Sequence, residues 1–510
     1  MQMMDQTALN ILIKYFSSGT AAQERDFISD IFVSVADYQK IITPPSRSIR
    51  LLVGSKGSGK SALLEYHYQK CIDEKVPVLY MTPTDIEVEP FTENEGSAFT
   101  TQKIYRSLVK QIAIQIGTQL HGLISDQQEA LVKEAVEAGT RNPGFTDITL
   151  RILSTIGVAL SNIDFQRMLP ELHYTTNTCI EGINQSFQAL QETDPVFYIL
   201  FDDIDQFGNP GNNNYIDIIW CAILAFKKLA ENLPNIRPII TLRNEIWRRI
   251  TKQRHNLRDQ VDHVRPMVHE LIPSSEEMRH ILSRRLEYCK KEYDGSAANP
   301  FEPFFDGYSC KMPSSGDRRS WQDYLVTSSR ERPRDTVQLV HELAENAIYH
   351  RRPLITDLDV DETSLSYSTE RVDDLVNENS DLCPELETVI RSFSSVAFQP
   401  SADEVRKHLL GVPGRGRITI RSKALRSGNV DDMFELWNLL YEVEFLTPRA
   451  KDCTQPKGFT HIRPYTDLTL VSASRWNDMQ KYIWEIHPCY RSYLLNISCS
   501  NKKMIGMPSV

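Results

Sequence analysis

No run of about 18 or more apolar residues interrupts this chain, so no membrane-spanning helix is expected. Met1 to Lys14 carries Asp5 and lacks a basic segment leading into an apolar one and a small-residue cleavage site. The reading is an unexported, cytoplasmic protein with no membrane partner. Paired cysteines are lacking as well. The nine cysteines, at 71, 179, 221, 289, 310, 383, 453, 489 and 499, stand at least ten positions apart, which excludes a metal knuckle or a redox pair. They are expected as buried reduced thiols, because free cysteine behaves as a small hydrophobe. Positive charge is not in excess either: 57 basic residues face 67 acidic ones, a net −10 that argues against a chain-wide coat for polyanions but leaves a local basic patch open. No internal repeat of about 20 to 50 residues occurs, and no nuclease, protease or deaminase constellation is visible. What remains is an ordinary folding composition, 41% hydrophobic and 24% charged. At about 150 residues per domain, 510 residues suggest three or four units.

One segment carries chemistry unambiguously. Ile49 to Val53 reads as a short buried strand and runs into Gly54-Ser55-Lys56-Gly57-Ser58-Gly59-Lys60-Ser61, the pattern G-x-x-x-x-G-K-S. Its glycines let successive backbone N–H groups turn inward toward phosphate oxygens, which a chain crowded by Cβ atoms could not do. Lys60 is expected to reach the β and γ phosphates, and the Ser61 hydroxyl to ligate Mg²⁺. Ala62, Leu63 and Leu64 begin a helix whose N-terminal dipole favours the same anion. Residues 54 to 62 are thus the expected ATP contacts.

The metal and water side of the site is sought at other strand ends. Val196 to Phe201 is apolar and ends in Asp202-Asp203-Ile204-Asp205, which looks like a Walker B element. Acids at the carboxyl end of a parallel strand face the ligand crevice. Asp202 is assigned to the metal and Asp203 to the attacking water, although which of Asp202, Asp203 and Asp205 acts as base stays open. Aspartate is shorter than the glutamate many ATPases use, so slow turnover is expected, which a rate well above about 10 per second would contradict. The strand Ile236 to Leu242 delivers Arg243 as a candidate γ-phosphate sensor. It opens a basic run with Arg248, Arg249, Lys252, Arg254 and Arg258, on a helix expected over 244 to 258.

Strand and helix alternate through this region, with Val76 to Thr82 as a second strand and Asp217 to Glu231 as a covering helix. The fold class expected is α/β, a parallel-sheet P-loop NTPase core over 49–272, with a helical insertion at about 97–190. A helical leader precedes it at 1–48. A helical lid is expected over 273–352, opened by the cap Ser274-Ser275-Glu276-Glu277 and closed by a helix over Arg334 to Tyr349, with Pro333 at its start. Arg334 could report phosphate state to that lid. Between Asp357 and Asp381 stand nine acids and one base, Arg371, which reads as a solvated hinge and helix face within the acidic hinge 353–385. Residues 386–510 form the last unit, where helices followed by a hairpin from Phe445-Leu446-Thr447 and Thr460 to Arg463 suggest a winged helix. There, residues 403 to 426 carry seven basic side chains against Asp403 and Glu404. His487 reads as a structural histidine after a last core strand.

Taken together, Gly54 to Ser61, Phe201 to Asp205, Thr241-Leu242-Arg243, Arg332-Pro333-Arg334-Asp335 and Ile486-His487-Pro488 resemble prokaryotic AAA-related P-loop ATPases of the STAND and KAP-like groups, stand-alone proteins found among defence genes. The resemblance implies an AAA-like core, a lid, a winged-helix domain and ATP hydrolysis used as a switch for assembly, signalling or antiviral defence. KAP-like members often place arginine after the Walker B acids, where this chain has Gln206. The partners implied are ATP, further copies of the chain, and an effector or sensor protein. The alternative is a DNA-binding ATPase of the origin-recognition or loader type.

Overall fold

The computed structural model describes residues 7–17, 19–35, 37–86, 96–119, 131, 134–135, 176–188, 196–207, 215–253, 258–293, 299–313, 316–453 and 458–504. They fall into two compact units, Thr20–Pro273 and a second that joins Met1–Gly19 to Ser274–Val510.

In the first unit, five parallel strands form one sheet: β1 (Arg50–Gly54), β2 (Val78–Met81), β3 (Phe197–Phe201), β4 (Ile236–Arg243) and β5 (Val268–Glu270), in the spatial order β2-β3-β4-β1-β5. β1 and β3 are both neighbours of β4, in register Gly54↔Arg243 and Phe201↔Ile240. The strands read as near-continuous apolar runs because both sheet faces are covered. Side chains alternate between those faces. Leu51, Val53, Ile199, Phe201, Ile240 and Leu242 meet one layer, which includes α2 (Ser97–Gln119) and α3 (Tyr215–Asn232). Leu52, Leu200 and Ile239 meet Leu63 and Leu64 of α1 (Lys60–Asp73), with Tyr38 and Ile41. The basic run after β4 begins on α4 (Asn244–Gln253); a further helix spans Arg258–Val264, and Arg254 lies outside the described residues. Of the expected 97–190 insertion, α2 and the helix Thr176–Gln188 are described, whereas 136–175 lies outside the described residues.

His67 of α1 packs edge-on against Tyr198 and is almost fully buried. Burial, with Lys70 nearby, lowers its pKa to about 4. Because the folded value lies below the unfolded 6.5, the neutral ring stabilises the fold above about pH 6.5, and that contribution is lost as pH falls toward 4. Lowering the pH from about 7.5 to about 5 should remove roughly 2 kcal/mol, about 4–8 °C in melting temperature for a unit this size. Calorimetry of His67→Phe should show a flatter pH dependence over that range; an unchanged slope assigns the effect elsewhere.

The second unit is mainly helical. A helix over Thr7–Tyr15 packs with α5 (Ser275–Tyr293) and α6 (Pro333–Tyr349), and Lys14 Nζ donates to Glu292 at 2.9 Å. The Ser274 cap is present: Glu277 N–H donates to its hydroxyl, and the Glu277 carboxylate accepts from Ser274 N–H. The expected hinge and helix face is a regular helix over most of its length, α7 (Asp357–Glu378), opened by a capping box at Thr356 and Asp359. Asp359, Val360, Tyr367, Arg371, Val372 and Leu375 bury one of its faces, while most of its other acids point to water. The residues after it form α8 (Leu386–Ser392), α9 (Ala402–Gly411) and α10 (Val430–Glu442). An antiparallel sheet follows, β6 (Leu446–Lys451), β7 (Phe459–His461) and β8 (Ile483–Ile486), with β6 in the middle. β6 and β7 are the expected hairpin, paired Arg449↔His461. The terminal helix α11 (Arg491–Met504) carries no sequence signal strong enough to announce it.

Among the described residues, no helix is long and apolar enough to cross a membrane. All nine cysteines are free thiols, seven of them buried.

Candidate nucleotide site

Three strand ends of the first unit converge on one loop. β1 ends at Gly54, where a Cβ would stand 2.6 Å from Ser58 Oγ and 2.9 Å from the Leu271 carbonyl, so only glycine permits the turn. Gly57 and Gly59 have φ of +78° and +98°, the left-handed region that side chains avoid. Space lies open around the position a Gly59 Cβ would take. Lys60 then opens α1. Its ammonium donates to the carbonyls of Gly54 at 2.9 Å and Ser55 at 3.0 Å, and only 6% of the residue is exposed. Burial pushes this ammonium below its ordinary range, against the pull of Glu245, Asp205, Asp203 and Asp202, in that order. Lys60 and the acids after β3 therefore share one electrostatic site.

Each acid is held differently. Asp202 accepts from Thr241 Oγ1 at 2.6 Å, Tyr80 OH at 3.0 Å and the Asp203 amide at 3.1 Å, so both its oxygens are engaged. Asp203 adopts φ +53°, and its amide also donates to Thr241 Oγ1 at 2.8 Å. The turn is locked by Thr241 as a result. Burial, then Asp202 and Asp205, raise the Asp203 carboxyl to about 6. Asp205 binds Arg243 Nε at 2.8 Å, while its other oxygen is buried with no hydrogen-bond partner. Glu245 Oε2 and Ser58 Oγ are likewise sequestered and unpartnered.

The sequence-derived residues Gly54 to Ala62, Asp202, Asp203 and Arg243 thus gather at the carboxyl edge of one sheet. Arg334 lies in the other compact unit, at the start of α6, where its Cγ would sit 3.2 Å from a Cβ on Gly19. Tyr80 and Glu245 were not singled out by motif, and Thr241 stood in the Thr241-Leu242-Arg243 motif without a role of its own. A lone threonine between Ile240 and Leu242 in a buried strand is the signal that could have found Thr241. Glu245 offered none, since it stands in a basic run.

A hard divalent cation fits this donor set in one particular way. Ser61 and Asp202 supply oxygen, and no cluster of three or more His, Cys, Asp or Glu side chains able to cage an ion occurs among the described residues. Such an ion would be held jointly with substrate phosphates, as Mg²⁺ usually is.

Comparison with known proteins places this geometry. Residues 276–376 match the FunZ-associated C-terminal helical domain, the stretch that spans α5, α6 and most of α7. The transposon gamma-delta 80.3 kDa protein of Escherichia coli K12 is 26% identical over 509 residues, covering 94% of this chain and 67% of that protein. Among solved structures, the Aeropyrum pernix ORC2 protein in its ADPNP and ADP complexes aligns over 94% of both chains, at 8% identity and a TM-score of 0.38. Drosophila ORC bound to DNA aligns over 93% of this chain and 90% of that one, at 10% identity and a TM-score of 0.32. Those two scores are too low to carry an argument. The architecture is mixed α/β, a parallel sheet core with helical regions, of the generic P-loop NTPase-like kind. None of these matches assigns the chain to the STAND or KAP groups.

Proposed function

We propose that this chain binds and hydrolyses ATP with Mg²⁺ and uses the cycle as a conformational switch. The carrying observation is that Lys60, from a G-x-x-x-x-G-K-S loop, is buried facing Asp202, Asp203, Asp205 and Glu245 at one sheet edge. The loop amides and Lys60 grip the triphosphate. Ser61 and Asp202 would hold Mg²⁺, which supplies charge neutralisation at the phosphate oxygens. Asp203 orients the attacking water. Arg243, shared with Asp205, offsets charge gathering on the transferring group. Residues 273–352 are the lid of this reading, and α8 to α10 with the β6–β7 hairpin make a winged-helix-type module. Further copies of the chain and an effector or sensor protein are the partners this reading calls for. STAND or KAP kinship and a role in antiviral defence rest on the motif resemblance alone.

A second reading, a DNA-binding ATPase of the loader type, is favoured by the relative named for a transposon. The basic stretch at 403–426 supports it only in part. Lys423 is paired with Asp432 and Glu435, Arg426 with Asp432, and Arg406 lies over the Trp476 ring. Helix α10, in the position a winged helix uses for base reading, carries Asp431, Asp432, Glu435 and Glu442 and no basic residue. Lys407, Arg415, Arg417 and Arg421 are left as candidate phosphate contacts. Single-turnover phosphate release separates the readings from a scaffold: wild type should cleave bound ATP and Asp203→Asn should retain it, whereas equal release from both removes the hydrolytic reading. Duplex binding that falls steeply between about 50 and 200 mM salt selects the DNA reading, and no binding at low salt removes it.

A further inference from the structure

Resting on the ATPase reading, we infer that Glu245 is a second water-orienting carboxylate of the site. Three observations converge on it. Glu245 lies two residues beyond Arg243, and Arg243 is the register partner of Gly54, so the first turn of α4 begins beside the phosphate loop. Of the acids facing the Lys60 ammonium, Glu245 pulls on it most strongly. Its Oε2 is sealed from solvent and accepts no hydrogen bond. A buried carboxylate oxygen without a donor costs several kcal/mol of lost hydration, and such a cost is retained where a ligand supplies the donor.

The other acids leave that place open. Asp202 has both oxygens engaged by Thr241, Tyr80 and the next amide. Asp205 is tied through one oxygen to Arg243, and its unpartnered second oxygen pulls on Lys60 less strongly than Glu245 does. Asp203 accepts from the Gln206 side-chain amide at 3.0 Å, and its position is fixed by a left-handed turn. One acceptor can fix only one water hydrogen. With Asp203 taking one and Glu245 the other, the oxygen lone pair is left pointing at the γ-phosphorus. That lone pair forms the new O–P bond as the bond from phosphorus to the β,γ-bridging oxygen breaks. The electron pair leaves on ADP, and both water hydrogens end on orthophosphate. ATP⁴⁻ and H₂O give ADP³⁻ and H₂PO₄⁻, with no oxidant or added base. Glu245 also explains how a chain with aspartate in the Walker B position reaches a water one methylene further away.

The test compares wild type, Glu245→Gln, Glu245→Asp, Asp203→Asn and the Asp203→Asn/Glu245→Gln double variant in the full-length protein. Affinity is read with a fluorescent ATP analogue, and bound nucleotide is identified by chromatography after a single turnover. Glu245→Gln should bind ATP within about threefold of wild type yet cleave it about 100-fold more slowly, so that ATP rather than ADP elutes. Glu245→Asp should fall between the two, and it keeps the test decisive if the glutamine variant does not fold. The double variant should be no slower than the worse single one, because both side chains hold the same water. Wild-type cleavage in both Glu245 variants overturns the inference, as does tenfold tighter ATP binding with cleavage intact, which would make Glu245 a mere counter-charge to Lys60. Absence of ATP binding in wild type is a different failure, which removes the ATPase reading itself.

Discussion

Replacing Lys60 by alanine should lower kcat/KM for ATP by about 10³-fold and abolish the rise in melting temperature that ATP and Mg²⁺ give the wild type. The side chain is sequestered under the loop and bonded to its carbonyls at Gly54 and Ser55, so its position is set before any anion arrives. Its burial without a dedicated salt-bridge partner is energetically costly, and the four acids around it offset that cost only at a distance. An anionic triphosphate settles the imbalance by direct contact. Alanine therefore removes both the contact and the buried lysine of the site, leaving Arg243 beside Asp202, Asp203, Asp205 and Glu245. At ligand concentrations of about 100 times Kd, wild type gains roughly 2.7 kcal/mol from binding, and the variant should gain none. Arginine is a poor substitute, because a planar fork does not occupy the place of a compact ammonium. Scanning fluorimetry with and without ATP reads the outcome directly, and a Lys60→Ala protein that still shifts on ATP would move the nucleotide site elsewhere.

What could be read from the chain beforehand follows a physical division. Local signals survived intact: the glycine spacing at 54 to 59, the apolar runs that became β1 to β4, the Ser274 cap, and Pro333 at a helix start all act through neighbouring atoms. Non-local facts did not. Nothing in Thr7–Tyr15 announces that it packs with helices some 270 residues later. The acids of α7 are not all solvated, because charge counting ignores direction: Asp359 is wholly buried beneath the Thr356 cap, while Asp361, two positions on, faces water. Arg371, the lone base of that stretch, looked like an exception to an acidic surface and is among the most completely buried large side chains in the protein. Glu245 was invisible for the converse reason, an acid hidden in a basic run, made significant only by the strand order that sets β4 beside β1.

Replacing Asp335 by alanine should destabilise the unit formed by Met1–Gly19 and Ser274–Val510 by about 3–5 kcal/mol, roughly 10 °C in its melting transition. Asp335 stands at the N-terminal turn of α6 and is 3% exposed. Arg330 Nε donates to it at 2.6 Å and an Arg371 N–H at 3.4 Å, and Arg332 adds to the field that holds its carboxyl below the usual range against burial. Arg330 and Arg371 are 6% and 2% exposed, and their other acid, Asp374, is shared between them at 3.7 and 3.1 Å. Losing Asp335 thus strands cationic charge in a low-dielectric interior, with Arg330 Nη1 and Arg371 Nε already unpartnered. The backbone adds to the cost, because Arg330 adopts a positive φ while its side chain is anchored by Asp335. Asparagine at 335 keeps the shape and one acceptor, so it should cost less than alanine. The diagnostic comparison is Arg330→Met/Asp335→Leu: if uncompensated charge is the cause, removing one cation with its anion should recover a large part of the loss, since an apolar pair of similar volume is often as stable as a buried ion pair. A double variant no better than Asp335→Ala would place the penalty in packing around α6 instead of in electrostatics.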